Sequence, residues 1–88
     1  MSVEGLSGLE GTGWDITSDP NAIAKTFQFK SFRAAFGWMT QAAMWAEKLD
    51  HHPEWSNVYG RVDVRLSSHD VGGITLRDVA LARKMDAI

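Results

Sequence analysis

The segment from Phe32 to Leu49 limits what this chain can become more than any other stretch. Its apolar residues fall in two adjacent rows at three-and-four spacing. One row is Phe32, Phe36, Met39, Ala43 and Ala46; the other is Ala35, Trp38, Ala42, Trp45 and Leu49. That spacing predicts one helix whose apolar face is wider than a single stripe. Ser31 stands where an N-cap is wanted, and Pro53 biases His52 away from the α region, so the helix must stop near Leu49–Asp50. A helix lying on a sheet needs one stripe for that sheet. The surplus width points to a second partner, and another subunit fits it; cover by loops or by the terminal helix is the plainer alternative.

Strand patterns flank this helix on both sides. Trp14 to Thr17 alternates apolar and polar residues, Ser18 to Asn21 is a turn cluster around Pro20, and Ala24 to Lys30 alternates again. Two such runs around a tight connection predict a hairpin. Ser56 to Tyr59 and Val62 to Leu66 predict a second, turning near Gly60, with Val62, Val64 and Leu66 on one face and Asp63 and Arg65 on the other. Thr75 and Asp78 have the spacing of a capping box, opening a helix from Leu76 to about Ala87. A short leading helix around Glu4 to Leu9 is a weaker expectation, because Gly5 and Gly8 oppose it. The expected fold is therefore α+β: a two-layer sandwich with a four-stranded antiparallel sheet and about three helices on one face, in the order α-β-β-α-β-β-α.

Eighty-eight residues make one domain, residues 1–88. A chain so short buries only about 60–65% of its unfolded surface. It has no cysteine, so disulfides cannot reinforce it, and histidine-held metal or subunit association remain. Nine basic against 11 acidic residues leave a net charge of −2 with no basic stripe, which argues against direct nucleic-acid binding. Apolar runs fall far short of the roughly 20 residues a membrane span needs, and the N-terminus lacks the features of a signal peptide. A cytoplasmic protein is expected.

Chemistry concentrates at three histidines. His51 and His52 sit at the end of the long helix, and His69 follows the last strand. Glu47 and Asp50 precede the pair, and Asp70 follows the third. Imidazoles exchange protons near neutral pH, and neighbouring carboxylates orient them. Simpler readings stand beside this one. A histidine at a helix end also serves the dipole, and Asp78 is explained by capping alone. His51, His52, Pro53 and Glu54 permit a metal reading, but adjacent histidines on an extended segment point to opposite sides. The spacing also matches no His-Glu-x-x-His helix.

The run from Glu47 through His51, His52 and Pro53 to Tyr59, followed by Ser67, Ser68, His69, Asp70 and then Asp78, resembles the pterin-4a-carbinolamine dehydratase family. The similarity is nearly continuous from Trp14 to Ala82, and includes Phe27 to Thr40. The resemblance implies a four-stranded antiparallel sheet with three helices, and dimers or tetramers with helices packed across the subunit contact. It implies dehydration of 4a-hydroxytetrahydrobiopterin to the quinonoid dihydropterin, with pterin as substrate and no cofactor or metal. A functional link to an aromatic amino acid hydroxylase follows from that chemistry.

Residue by residue, His51 and His69 resemble the family's acid–base pair, and His52 the histidine that contacts and positions the pterin. Asp50, Ser67, Ser68 and Asp70 fall where the family lines its substrate pocket. Asp70 is shorter than the acid some relatives carry there. Glu47 and Asp78 sit at motif positions that orient histidines or loops, and Pro53 holds the backbone that splays the pair. At helical spacing Trp38 and Trp45 are expected in the core, and Trp55 is left open between core and pterin contact. The competing reading is a protein-binding role without catalysis: relatives of this fold include a dimerisation cofactor for a homeodomain transcription factor and an assembly factor for a carbon-fixing enzyme. The complete histidine set favours catalysis.

Overall fold

The computed structural model describes residues 13–18, 21–68 and 73–88. Its elements are β1 (Asp15–Ser18), β2 (Asn21–Gln28), α1 (Phe32–Lys48), β3 (Glu54–Val58), β4 (Arg61–Leu66) and α2 (Leu76–Ala87). The strands form one antiparallel sheet in the order β1-β2-β4-β3. Two helices, rather than about three, are found among the described residues. The expected leading helix falls at positions 4–9, outside them.

Register explains which side chains become core. β2 meets β4 with Ile23 opposite Leu66, Lys25 opposite Val64 and Phe27 opposite Val62, so these pairs share the inner face. Ala24, Thr26, Asp63 and Arg65 take the outer face, where Thr26 donates to Asp63 at 2.6 Å and Arg65 to Glu54 at 3.3 Å. α1 lays Ala35, Trp38, Ala42 and Ala46 on the inner face, and α2 adds Val79, Leu81, Ala82 and Met85. Burying a side chain such as Ile23 or Leu66 contributes about 1.5–3 kcal/mol.

The aromatic residues divide as burial dictates. Trp38 is buried, packs tilted against Phe27 with ring centroids 4.3 Å apart and donates through Nε1 to the Met85 carbonyl at 3.2 Å. Trp45 is only half-buried, with the Lys48 and Lys84 ammonium groups 5.2 and 4.3 Å from its ring centroid. Trp55 is half-buried, 6.3 Å from Trp38. Part of the first apolar row of α1 stays outside: Phe32 and Phe36, with the neighbouring Met44, are all at least half exposed, whereas Met39 is half-buried and Ala46 is buried. Among the described residues, neither loops nor α2 cover these exposed side chains. No helix among the described residues is long and apolar enough to cross a membrane.

Two tethers fix the layers. Asp86, near the end of α2, accepts from Trp14 Nε1 at 2.9 Å and from Lys25 Nζ at 2.8 Å, tying α2 to β1 and β2. At the β3–β4 turn, Phe29 N donates to the Gly60 carbonyl at 2.7 Å. A Cβ at Gly60 would stand 2.4 Å from the Phe29 carbonyl oxygen, so only glycine permits this approach.

Candidate active site

The end of α1 sets the directions of the two adjacent histidines. Asp50 adopts φ +52, a left-handed conformation that Asp tolerates better than most residues. Its amide donates to the Glu47 carbonyl at 3.2 Å, while the His51 amide reaches back to the Ala46 carbonyl at 3.0 Å. This pair of bonds is a Schellman closure with Asp in the place glycine usually takes. The helix stop is therefore made at Asp50, and Pro53, three residues on, only forbids resumption. The closure folds His51 back under the helix and sends His52 outward.

The two histidines consequently meet different surroundings. His51 is buried, and its Nε2 lies 2.5 Å from Asp78 Oδ1 in the first turn of α2. His52 is exposed, and its Nε2 lies 3.0 Å from Glu47 Oε1, one helical turn back on α1. Each histidine thus has its own carboxylate, buried in one case and solvated in the other. The other ring nitrogen of His51, Nδ1, is engaged by no described residue.

Asp78 does two things at once. Its Oδ2 accepts the Thr75 amide at 2.8 Å and completes the capping box, while Oδ1 takes His51. Capping and site contact, which stand as alternatives in the sequence, share one side chain. Ser68 Oγ also donates to Oδ2 at 2.9 Å and lies 2.7 Å from Thr75 Oγ1. Thr75 is the residue sequence reasoning missed, because its N-cap role accounts for it fully when read along the chain.

Ser67 and Ser68 are both buried. Ser68 and Gly73 exchange backbone hydrogen bonds, N to O at 2.7 Å and 3.3 Å, which close the base of the connection across positions 69–72. His69 and Asp70 belong to that connection and lie outside the described residues. Asp50 is exposed beside the pair, and Pro53 leads directly into β3. Among the described residues no three His, Asp or Glu side chains gather as a metal site would require. A depression of about 470 Å³ lies instead on the outer sheet face, between Asp15, Thr26, Glu54, Asp63 and Arg65. Neither His51 nor His52 lines it, so the described histidine pair and this depression are separate places.

The arrangement can hold one imidazole firmly by one nitrogen while leaving the other free to exchange a proton. Comparison with known proteins places the chain in a family. The sequence profile of the family described as Pterin 4 alpha carbinolamine dehydratase matches residues 3–88. A protein of Jannaschia sp. (strain CCS1), provisionally named a pterin-4-alpha-carbinolamine dehydratase, is 57% identical over 83 residues, covering 94% of this chain and 85% of its own. One of Roseobacter denitrificans with the same provisional name is 54% identical over the same shares. The crystal structure of a transcriptional coactivator/pterin dehydratase from Brucella melitensis superposes with a TM-score of 0.87 at 52% identity, covering 96% of this chain and 87% of that one. A pterin dehydratase-like protein identified as a RuBisCO assembly factor in the alpha-carboxysome shares the fold, with a TM-score of 0.73 at 22% identity, over 85% and 87% of the two chains. On the match to nearly its whole length and relatives more than half identical, this chain belongs to the pterin-4a-carbinolamine dehydratase family.

Proposed function

We propose that the protein dehydrates 4a-hydroxytetrahydropterin to the quinonoid dihydropterin and water. In this reaction the C4a–OH bond breaks and the N5–H proton is lost. The nitrogen's electron pair closes an N5–C4a double bond, and the hydroxyl leaves as water with a proton from the general acid. One group must accept a proton and another must supply one, and imidazoles suit both tasks near neutral pH. His51 and His69 are the acid–base pair in this reading, and His52 positions the ring system with Glu47 behind it. The observation that carries it is the buried bond from His51 Nε2 to Asp78, which leaves Nδ1 for proton exchange. The pocket is completed by Asp50, Ser67 and Asp70, with Ser68 behind them, and the protein works in the cytoplasm with no cofactor of its own. Its substrate comes from a monooxygenase that oxidises tetrahydropterin, as an aromatic amino acid hydroxylase does.

The test is dehydration of freshly generated 4a-hydroxytetrahydropterin by the wild type, His51→Ala and His69→Ala. Loss of about 10²–10⁴-fold in each folded variant is expected from removal of general acid–base assistance. A wild type no faster than the uncatalysed reaction would sink the reading.

The partner in this reading is a second copy of the chain. On α1 the outward residues are complementary about Thr40 when another α1 lies antiparallel: Phe36 meets Met44, Arg33 meets Glu47, and Gly37 meets Ala43. Phe36 and Met44 are 58% and 69% exposed, a large apolar area for a helix to leave in water. A Cβ at Gly37 would touch no described residue within 4 Å, so this mid-helix glycine packs against none of them. A non-catalytic role through the same helix is the alternative. It gains only from the names of the coactivator and the assembly factor.

A further inference from the structure

Ser68 is 1% exposed at the end of the sheet, one position before the connection that carries His69. A hydroxyl is costly to bury unless its hydrogen bonds are made, and this one makes two. The proton directions are forced. A carboxylate can only accept, so the single Ser68 proton goes to Asp78 Oδ2 at 2.9 Å. Ser68 Oγ must then accept from Thr75 Oγ1 at 2.7 Å, and Thr75 Oγ1 accepts the Arg77 amide at 3.2 Å. The Thr75 amide fills Oδ2 a second time at 2.8 Å. Oδ1 is left for His51 Nε2, which must carry a hydrogen to bond an acceptor.

We propose that Ser68 is a positioning residue: its hydroxyl fixes the rotation of the Asp78 carboxylate so that Oδ1 stays on His51 Nε2–H, which presents Nδ1 as the atom that exchanges protons with substrate. The proposal rests on the dehydratase reading for its catalytic part and on the hydrogen-bond directions for the rest. Ser68 also anchors the base of the 69–72 connection through its two backbone bonds to Gly73. One residue thereby sets both the rotation of the carboxylate that holds His51 and the point from which the His69 segment departs. Ser68 thus acts from behind the site rather than as a wall of the pocket.

Two readouts on the full chain test it, and a merely structural serine would move neither. The ¹⁵N shifts of the His51 ring, recorded above the histidine titration range, report which nitrogen carries the hydrogen. The expected wild type shows Nε2 protonated and Nδ1 bare. Ser68→Ala shows a mixture, with kcat lowered about tenfold, the scale of one hydrogen bond, and KM within about twofold. Ser68→Thr, which keeps the hydroxyl, restores both. A wild type with its hydrogen on Nδ1, or a folded Ser68→Ala with the wild-type tautomer and kcat, would overturn the proposal. A wild type that holds Nε2–H, loses it in Ser68→Ala and yet dehydrates nothing would sustain the tautomer assignment and remove the dehydratase reading instead.

Discussion

His51 and Asp78, 27 residues apart in sequence, share a buried hydrogen bond that joins the end of α1 to the first turn of α2. Its removal has consequences for folding as well as for chemistry. Asp78→Asn keeps the shape but replaces one acceptor oxygen with a donor, facing His51 Nε2 or the Ser68 and Thr75 donors. Loss of the cap and of bonds to a charged group should lower stability by about 2–4 kcal/mol. For a domain of this size that is a fall of roughly 10–25 °C in melting temperature, measurable by circular dichroism. A melting temperature within about 3 °C of the wild type would contradict the buried network, on the same scaling.

Glu47 and His52 form the solvated counterpart, with side chains 83% and 62% exposed. Exposed pairs contribute little to stability. Glu47→Gln should leave the denaturation midpoint unchanged and raise KM for the pterin instead, by a few-fold on the scale of one lost hydrogen bond. A stability loss matching that of Asp78→Asn would show that the pair is structural.

Asp50→Gly separates backbone from side chain. Glycine takes φ +52 without the penalty a Cβ brings, so the variant should gain about 0.5–1 kcal/mol in urea denaturation. Dehydration kinetics then read the side chain alone: a raised KM in this stabilised protein would place the Asp50 carboxylate against the substrate, and unchanged kinetics would reduce Asp50 to the helix stop.

The outward row of α1 makes a prediction about mass. Sedimentation of the wild type should give a dimer or larger assembly, and Met44→Asp or Phe36→Asp should give monomer with the fold kept. A wild type that sediments as monomer at all concentrations would leave the row to a different protein.

Much of this was legible in the sequence, and the exceptions have physical causes. α2 spans Leu76–Ala87 as its capping box and spacing predict, and β4 shows the expected alternation of buried Val62, Val64 and Leu66. Local signals sufficed there because each element carries its own start, stop and period. β3 begins at Glu54 rather than Ser56, since its first pairs, Glu54 with Arg65 and Trp55 with Val64, are set by the neighbouring strand. The order β1-β2-β4-β3 is likewise a property of the assembled sheet. The helix stop was assigned to Pro53 because Asp50 does not announce a left-handed residue as glycine would. At the site, His51 and His52 were legible as residues, but their separation into a buried and a solvated carboxylate pair depends on that stop. The Ser68–Thr75–Asp78 cluster depends on a contact between β4 and α2 that no spacing encodes.

The capping box of α2 has one further consequence. Helix ends are where native proteins open first, long before global unfolding. Here the opening end is stitched to His51, so each fraying of the first turn of α2 also dismantles the site. If the protein is the proposed dehydratase, the fraction of time it is competent is bounded by the closed population of that turn. Protection of its amide hydrogens against exchange becomes a measure of catalytic readiness made without any substrate.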